Sequence, residues 1–225
     1  MSKQRPGYVR SLALLIVLAA APATPADDDD DPSFHAEMSG ISGTADRPRR
    51  HFRLKYPRQL DPERAASIYE LVADTLAKGY ASSGLTAIAG YQSWTRYNAS
   101  PYLSATHGNH YLNNYVNATG AAYGRFEEAG TLPPGTVIAK DSFSVTSTGG
   151  ILLGPLAVME KMPAGFSPST GDWKYIEVLP DGELLGETNG RHAERVDYCI
   201  DCHLAVEAQD HLFFVPRALR ANIQR

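Results

Sequence analysis

Two neighbouring runs decide the fold: Gly135-Thr-Val-Ile-Ala-Lys-Asp-Ser-Phe-Ser-Val145 and, after a short Thr/Ser/Gly link, Ile151-Leu-Leu-Gly-Pro-Leu-Ala-Val-Met-Glu-Lys161. Both are rich in residues that fit a pleated surface and are bounded by turn formers, so they read as strands. Working outward, similar segments fall at 88–96, 109–117 and 173–179. Leu179-Pro-Asp-Gly-Glu183 is a turn that closes a last hairpin, since Pro presets one dihedral and Gly accepts a positive one. Thr119 to Ala129, with Ala121, Ala122, Tyr123 and Phe126 and a stop at Gly130, predicts a short crossover helix. Upstream, Asp61 is an N-cap with Pro62 in the first helical position, and Ile68, Leu71, Val72, Thr75 and Leu76 recur at helical spacing until Gly79. The expected architecture is α+β: a central antiparallel sheet with an N-terminal helix, the crossover helix and a C-terminal helix that binds the cofactor discussed below.

A chain of 225 residues has room for one full domain and a tail. With 43% hydrophobic and 20% charged residues it is neither a disordered chain nor a polytopic membrane protein. Lys3, Arg5 and Arg10 precede the apolar run Leu12–Ala20 and small-residue cleavage sites up to Ala26, the pattern of a secretory signal peptide over 1–26. That run is shorter than a membrane-spanning helix needs, so the expectation is a cleaved leader, a periplasmic or otherwise exported chain and no stable membrane insertion. Without the leader, 18 basic residues face 25 acidic ones, a balance of −7 that argues against a nucleic-acid partner. Residues 27–59 read as a linker, acidic over Asp27–Asp31 and basic over Arg47–Arg58, ahead of a folded domain over 60–225.

Both cysteines lie in Cys199-Ile-Asp-Cys-His203, the C-x-x-C-H pattern of covalent c-type haem attachment. On a helix, residues three and four apart share a face, so Cys199, Cys202 and His203 would point the same way. The two thiols would then bond one haem c while His203 reaches the iron as its metal ligand. A zinc site lacks a spaced second pair, since His192 and His211 fit no such pattern, and a thioredoxin-like pair lacks its βαβ setting. An export signal agrees with the haem reading from an unrelated direction.

With that motif near the C-terminus of a strand-rich chain, the sequence resembles the cytochrome P-460 family over roughly residues 85–220. The resemblance is carried, in order, by Tyr91-Gln-Ser-Trp94, Tyr115-Val-Asn117, Pro134-Gly-Thr-Val-Ile-Ala-Lys140, Thr170-Gly-Asp-Trp-Lys-Tyr175, the haem motif and Asp210-His-Leu-Phe-Phe-Val-Pro216. It implies oxidation of hydroxylamine to nitrous or nitric oxide at a five-coordinate haem, with electrons passed to a periplasmic acceptor. It also implies that Lys140 is bonded to the porphyrin edge, and it leaves a homodimer open. Related proteins known as cytochrome c-prime beta bind nitric oxide or another gas without turnover. A six-coordinate electron carrier, with Met159 or Met162 as second axial ligand, is a third reading.

The departure from the family concerns its distal acid, whose position falls on Ala157. Glu160 is the nearest carboxylate, but strand alternation sets it on the opposite face unless a bulge intervenes. His107 and His110, on a segment that by resemblance passes beside the distal pocket, are then candidate bases. Trp94, Trp173 and Phe213-Phe214 read as packing aromatics.

Overall fold

The computed structural model describes residues 43–223 except Ala45; the predicted signal peptide and the aspartate run lie outside them. Gly43–Thr44 (β1) and Arg47–Pro48 (β2) form a small ribbon. A twenty-residue helix follows, Pro62–Ala81 (α1). Then come β3 (Thr95–Arg96), β4 (Tyr102–Ser104), β5 (His110–Val116), β6 (Val137–Val145), β7 (Ile151–Leu153), β8 (Leu156–Lys161), β9 (Trp173–Val178), β10 (Leu184–Glu187) and a short helix, Asp197–His203 (α2). The eight strands β3–β10 make one antiparallel sheet with path order β10-β9-β8-β6-β5-β3, β4 adding to β5 and β7 to β6. The α+β expectation holds.

Alternation along the central strands builds two cores. Ala139, Val158 and Ile176 stand in one cross-strand row and pack, with Phe143 and Val178, against Ala65, Ile68, Leu76 and Tyr80 of α1. Ile138, Met159 and Tyr175 form a row on the other face and pack toward Tyr198 and Cys199 of α2. Every residue of β6 is buried, because both faces are covered.

The elements depart from expectation in ways with local causes. Asp61 caps α1 by accepting from the Arg64 N–H at 2.7 Å, but the helix continues through Gly79. A Cβ on Gly79 would sit 1.8 Å from the Pro180 carbonyl, so this glycine permits close approach of the β9–β10 turn and does not stop the helix. The segment read as a strand at 88–96 is mostly 3-10 helix, Thr86–Ile88 and Tyr91–Ser93, and only β3 pairs. The crossover helix is 3-10 as well, over Ala118–Glu128, and is kinked at Phe126. The strand read at 151–161 divides at Gly154-Pro155, where the register against β6 steps by one residue and proline offers no ladder donor.

The largest correction concerns the predicted linker. Residues 51–58 lie along the domain as a strap: Leu54 is 1% exposed, its N–H donates to the Gly108 carbonyl at 3.0 Å and its carbonyl accepts from Asn109 at 2.7 Å. The Arg58 N–H donates to the Val145 carbonyl at 2.8 Å. Phe52 and Leu54 are the apolar residues inside the basic run that make this packing worthwhile. Gly108, at φ +70°, lies so close beneath the strap that a Cβ would meet the Phe52 carbonyl at 1.9 Å. Gly108→Ala is therefore expected to lower stability by roughly 1–3 kcal/mol and to make the 51–58 strap the first site of limited proteolysis, read by thermal denaturation and mass mapping of the cut.

Candidate functional site

Between the Ile138–Met159–Tyr175 face of the sheet and α2 lies a cavity of about 460 Å³. Cys199, Cys202 and His203 all line it, as their spacing on one helical face requires. Both cysteines are free thiols, Cys199 buried and Cys202 exposed.

His203 is oriented by a chain of contacts reaching deep into the sheet. Its Nδ1–H donates to the His211 carbonyl at 2.7 Å, which leaves the Nε2 lone pair available. Burial holds the imidazole far below its ordinary range, to about 3, so it is neutral at physiological pH. Asp210 and His211 take consecutive left-handed conformations, φ 57° and 59°, that turn this carbonyl back toward α2. Asp210 is pinned at three points. Its carboxylate accepts from Lys161 Nζ at 2.5 Å and from the Leu132 N–H at 2.9 Å, and its carbonyl accepts from the Trp173 indole at 2.8 Å. The Lys161 ammonium also lies over the Trp173 ring, 4.8 Å from its centroid. Trp173 is thus a packing residue that also sets the position of the His211 carbonyl.

Lys140 lines the same cavity from β6 at 5% exposure, with no hydrogen-bond or ion-pair partner for its amine among the described residues. Burial pulls its pKa down to about 8, so a sizeable share of neutral amine exists near neutrality. Its cross-strand neighbour is Ala157, and the neighbour of Ala157 on β9 is Glu177. The β8 register runs unbroken from Leu156 to Lys161, so the only step lies before Ala157 and no bulge turns Glu160 around. Glu160 pairs with Val137 and Lys174 on the face away from the cavity, which removes it as a site carboxylate.

The two histidines part company. His107 lines the cavity, with Ser104 Oγ 3.0 Å and Thr106 Oγ1 3.2 Å from its Nδ1, and burial followed by the Lys140 charge keeps it neutral. His110 does not line it. It faces Phe52 and Ser144, with Nε2 3.3 Å from the Phe52 carbonyl and Nδ1 2.7 Å from Ser144 Oγ, and burial lowers its pKa to about 4. With both ring nitrogens engaged under the strap, His110 is a structural residue and not a base for the cavity. Met159 lines the cavity and Met162 does not. Phe213 and Phe214 line it too, Phe213 edge-on to His203 at 5.1 Å, whereas Trp94 packs against the α1 core.

Sequence reasoning missed three wall groups, His51, Tyr175 and Tyr198, and Glu177, which contacts two of them. Glu177 is 2% exposed and accepts a very short hydrogen bond from the Tyr198 hydroxyl; His51 Nδ1 lies 3.4 Å from the same carboxylate oxygen. Burial alone would raise Glu177, but the neighbouring His51 and the Tyr198 hydroxyl outweigh it and bring the carboxyl below its ordinary value, so it is a carboxylate at neutral pH. The available signal was alternation from Trp173, which sets Tyr175 and Glu177 on one face. Nothing local marked His51.

A family model described as Cytochrome P460 matches residues 88–214, more than half of the chain. No curated protein matches. The chain belongs to the cytochrome P460 family, which brings a haem cofactor with it. The cavity residues fit that group: a neutral histidine with its outer nitrogen held, two free thiols on the same helical face, and a buried Tyr175 hydroxyl without a partner among the described residues. Removing Asp210 would strand the Lys161 ammonium, only 7% exposed, and release the His211 carbonyl. Asp210→Ala is expected to cost roughly 3–5 kcal/mol in thermal or denaturant unfolding of the haem-loaded protein, partly recovered in Asp210→Ala/Lys161→Met.

Proposed function

We propose, from its membership in the cytochrome P460 family, that this chain is an exported monohaem c-type cytochrome that oxidises hydroxylamine or a related small nitrogen compound and passes the electrons to a periplasmic protein acceptor. The observation that carries this reading is the buried amine of Lys140, unpartnered among the described residues, in the same cavity as Cys199, Cys202 and His203. Burying a cation without a partner is costly, and such a lysine is retained where its amine has a chemical use. In this reading Cys199 and Cys202 would hold the haem through thioethers, His203 would ligate its iron and Lys140 would bond to the haem itself.

Bound there, the haem supplies a redox-active iron with an open coordination position. The chain supplies the rest. Ile138, Phe213 and Phe214 keep water from the wall, while Tyr175 packs against His203, ring centroids 5.1 Å apart, and limits its tilt. Oxidising hydroxylamine releases protons with the electrons, so the cavity needs a proton acceptor on its polar wall. Ala157 at the family's acid position supports a second reading, a protein that binds nitric oxide without turnover.

The deciding measurement is the ferrous absorption spectrum of the purified haem protein beside Lys140→Ala. A strongly red-shifted Soret band that reverts in the variant, together with at least a tenfold loss of hydroxylamine oxidation, is the expected result. An ordinary five-coordinate c-type spectrum unchanged by the substitution overturns the lysine bond and favours gas binding; a six-coordinate low-spin spectrum favours electron transfer with Met159.

A further inference from the structure

The strap that carries His51 lies outside the family-matched residues 88–214, yet it completes the cavity wall. We infer that His51, held by Glu177 and Tyr198, is the proton acceptor of this cavity, with Glu177 and Tyr198 as its positioning residues. This inference rests on the redox reading above for the source of the proton.

The geometry fixes the tautomer. Tyr198 spends its hydroxyl hydrogen on Glu177, so around His51 Nδ1 stand a carboxylate oxygen at 3.4 Å and a phenol oxygen at 3.3 Å, both of which accept. Nδ1 therefore carries hydrogen, and Nε2 is left as the basic nitrogen of a residue that lines the cavity. A buried anion behind an imidazole orients it and stabilises the imidazolium formed when it accepts a proton. Tyr198 packs edge-on against the His51 ring, centroids 4.9 Å apart, and restricts its rotation.

No other group facing His51 fills the role. His107, with its ring centroid 4.8 Å away on the loop before β5, is kept neutral by burial and by Lys140. His110 on β5 and His203 on α2 are likewise held neutral by burial, and neither is paired with a carboxylate. The Cys199 sulfur, within 4.8 Å of both His51 and Glu177, is committed to haem attachment in the proposed function. Arg49 and Arg50 precede His51 on the strap and line the cavity, but they bear no basic nitrogen at working pH. In the proposed step one proton leaves the bound nitrogen compound for His51 Nε2, and the resulting imidazolium pairs with Glu177. The electrons leave separately to the protein acceptor.

Spectroelectrochemical titration of the haem-loaded protein without hydroxylamine tests this. Adding an electron to the cavity raises the proton affinity of a neighbouring acceptor, so the wild-type midpoint potential should fall as pH rises. His51→Gln, which keeps size and polarity, should flatten that dependence and lower kcat for hydroxylamine by about a hundredfold with little change in KM. Glu177→Gln should move the dependence to lower pH. If Glu177→Gln does not fold, Tyr198→Phe, which deletes one hydroxyl, should shift it the same way by a smaller amount. A potential with the wild-type pH dependence in His51→Gln overturns the inference. The potential is read without substrate, so a protein that binds haem but does not oxidise hydroxylamine still gives a clear result, and failure of the proposed function is distinguished by turnover alone.

Discussion

The unbroken register joining β6, β8 and β9 is the constraint on which the rest of the molecule depends. Because Lys140 pairs with Ala157 and Ala157 with Glu177, these three stand in one row on the cavity face, and the next row on that face is Ile138, Met159 and Tyr175. The alternate residues, Ala139, Val158 and Ile176, face α1. A slip of one residue would exchange the two sets, burying a lysine and a glutamate against an apolar helix and turning the apolar set toward the cavity. The step at Gly154-Pro155 lies outside this block and leaves it intact.

Around that sheet the cavity is closed by two segments of different character. On one side α2 brings both cysteines and His203, and its aim depends on the His211 carbonyl, held through Asp210 by Lys161 and Trp173. On the other side the strap brings His51 to Glu177. One segment orients His203 and the other orients His51, and each does so by pairing Nδ1 of the histidine with a buried acceptor. The polar groups behind the sheet are a separate matter: Asp141 accepts from Tyr69 at 2.5 Å, Tyr91 at 2.9 Å and Asn113 at 3.1 Å, far from the α2 side, and ties α1 to the sheet.

The cavity is mixed in chemistry. Aromatic and aliphatic groups make most of its wall, and such walls strengthen any charge interaction inside. Its polar groups lie at separate places: Lys140 on the sheet, His51 on the strap with Glu177 against it, and Arg49 and Arg50 just ahead of the strap.

Much of this was legible in the chain. The attachment motif, the Asp61 cap, the hairpin turn at Pro180-Asp-Gly182 and the strand character of 135–145 depend on neighbours within a few residues, and local spacing is enough to read them. The absence of an acid at Ala157 was legible only through the resemblance to the family, counting back from Trp173. What the sequence could not disclose was which groups meet once the chain is folded: His51 with Glu177, His203 with the His211 carbonyl that two left-handed residues turn back, and Phe52 over Gly108. The 3-10 character of 86–93 was hidden for a related reason, since β-forming side chains there serve packing against α1 and not a ladder. Contacts between segments more than a hundred residues apart are decided by the packing of faces and by the partners that buried polar groups must find. Those requirements exist only once the sheet is assembled, which is why the haem motif was written in the sequence and its surrounding wall was settled by the tertiary structure.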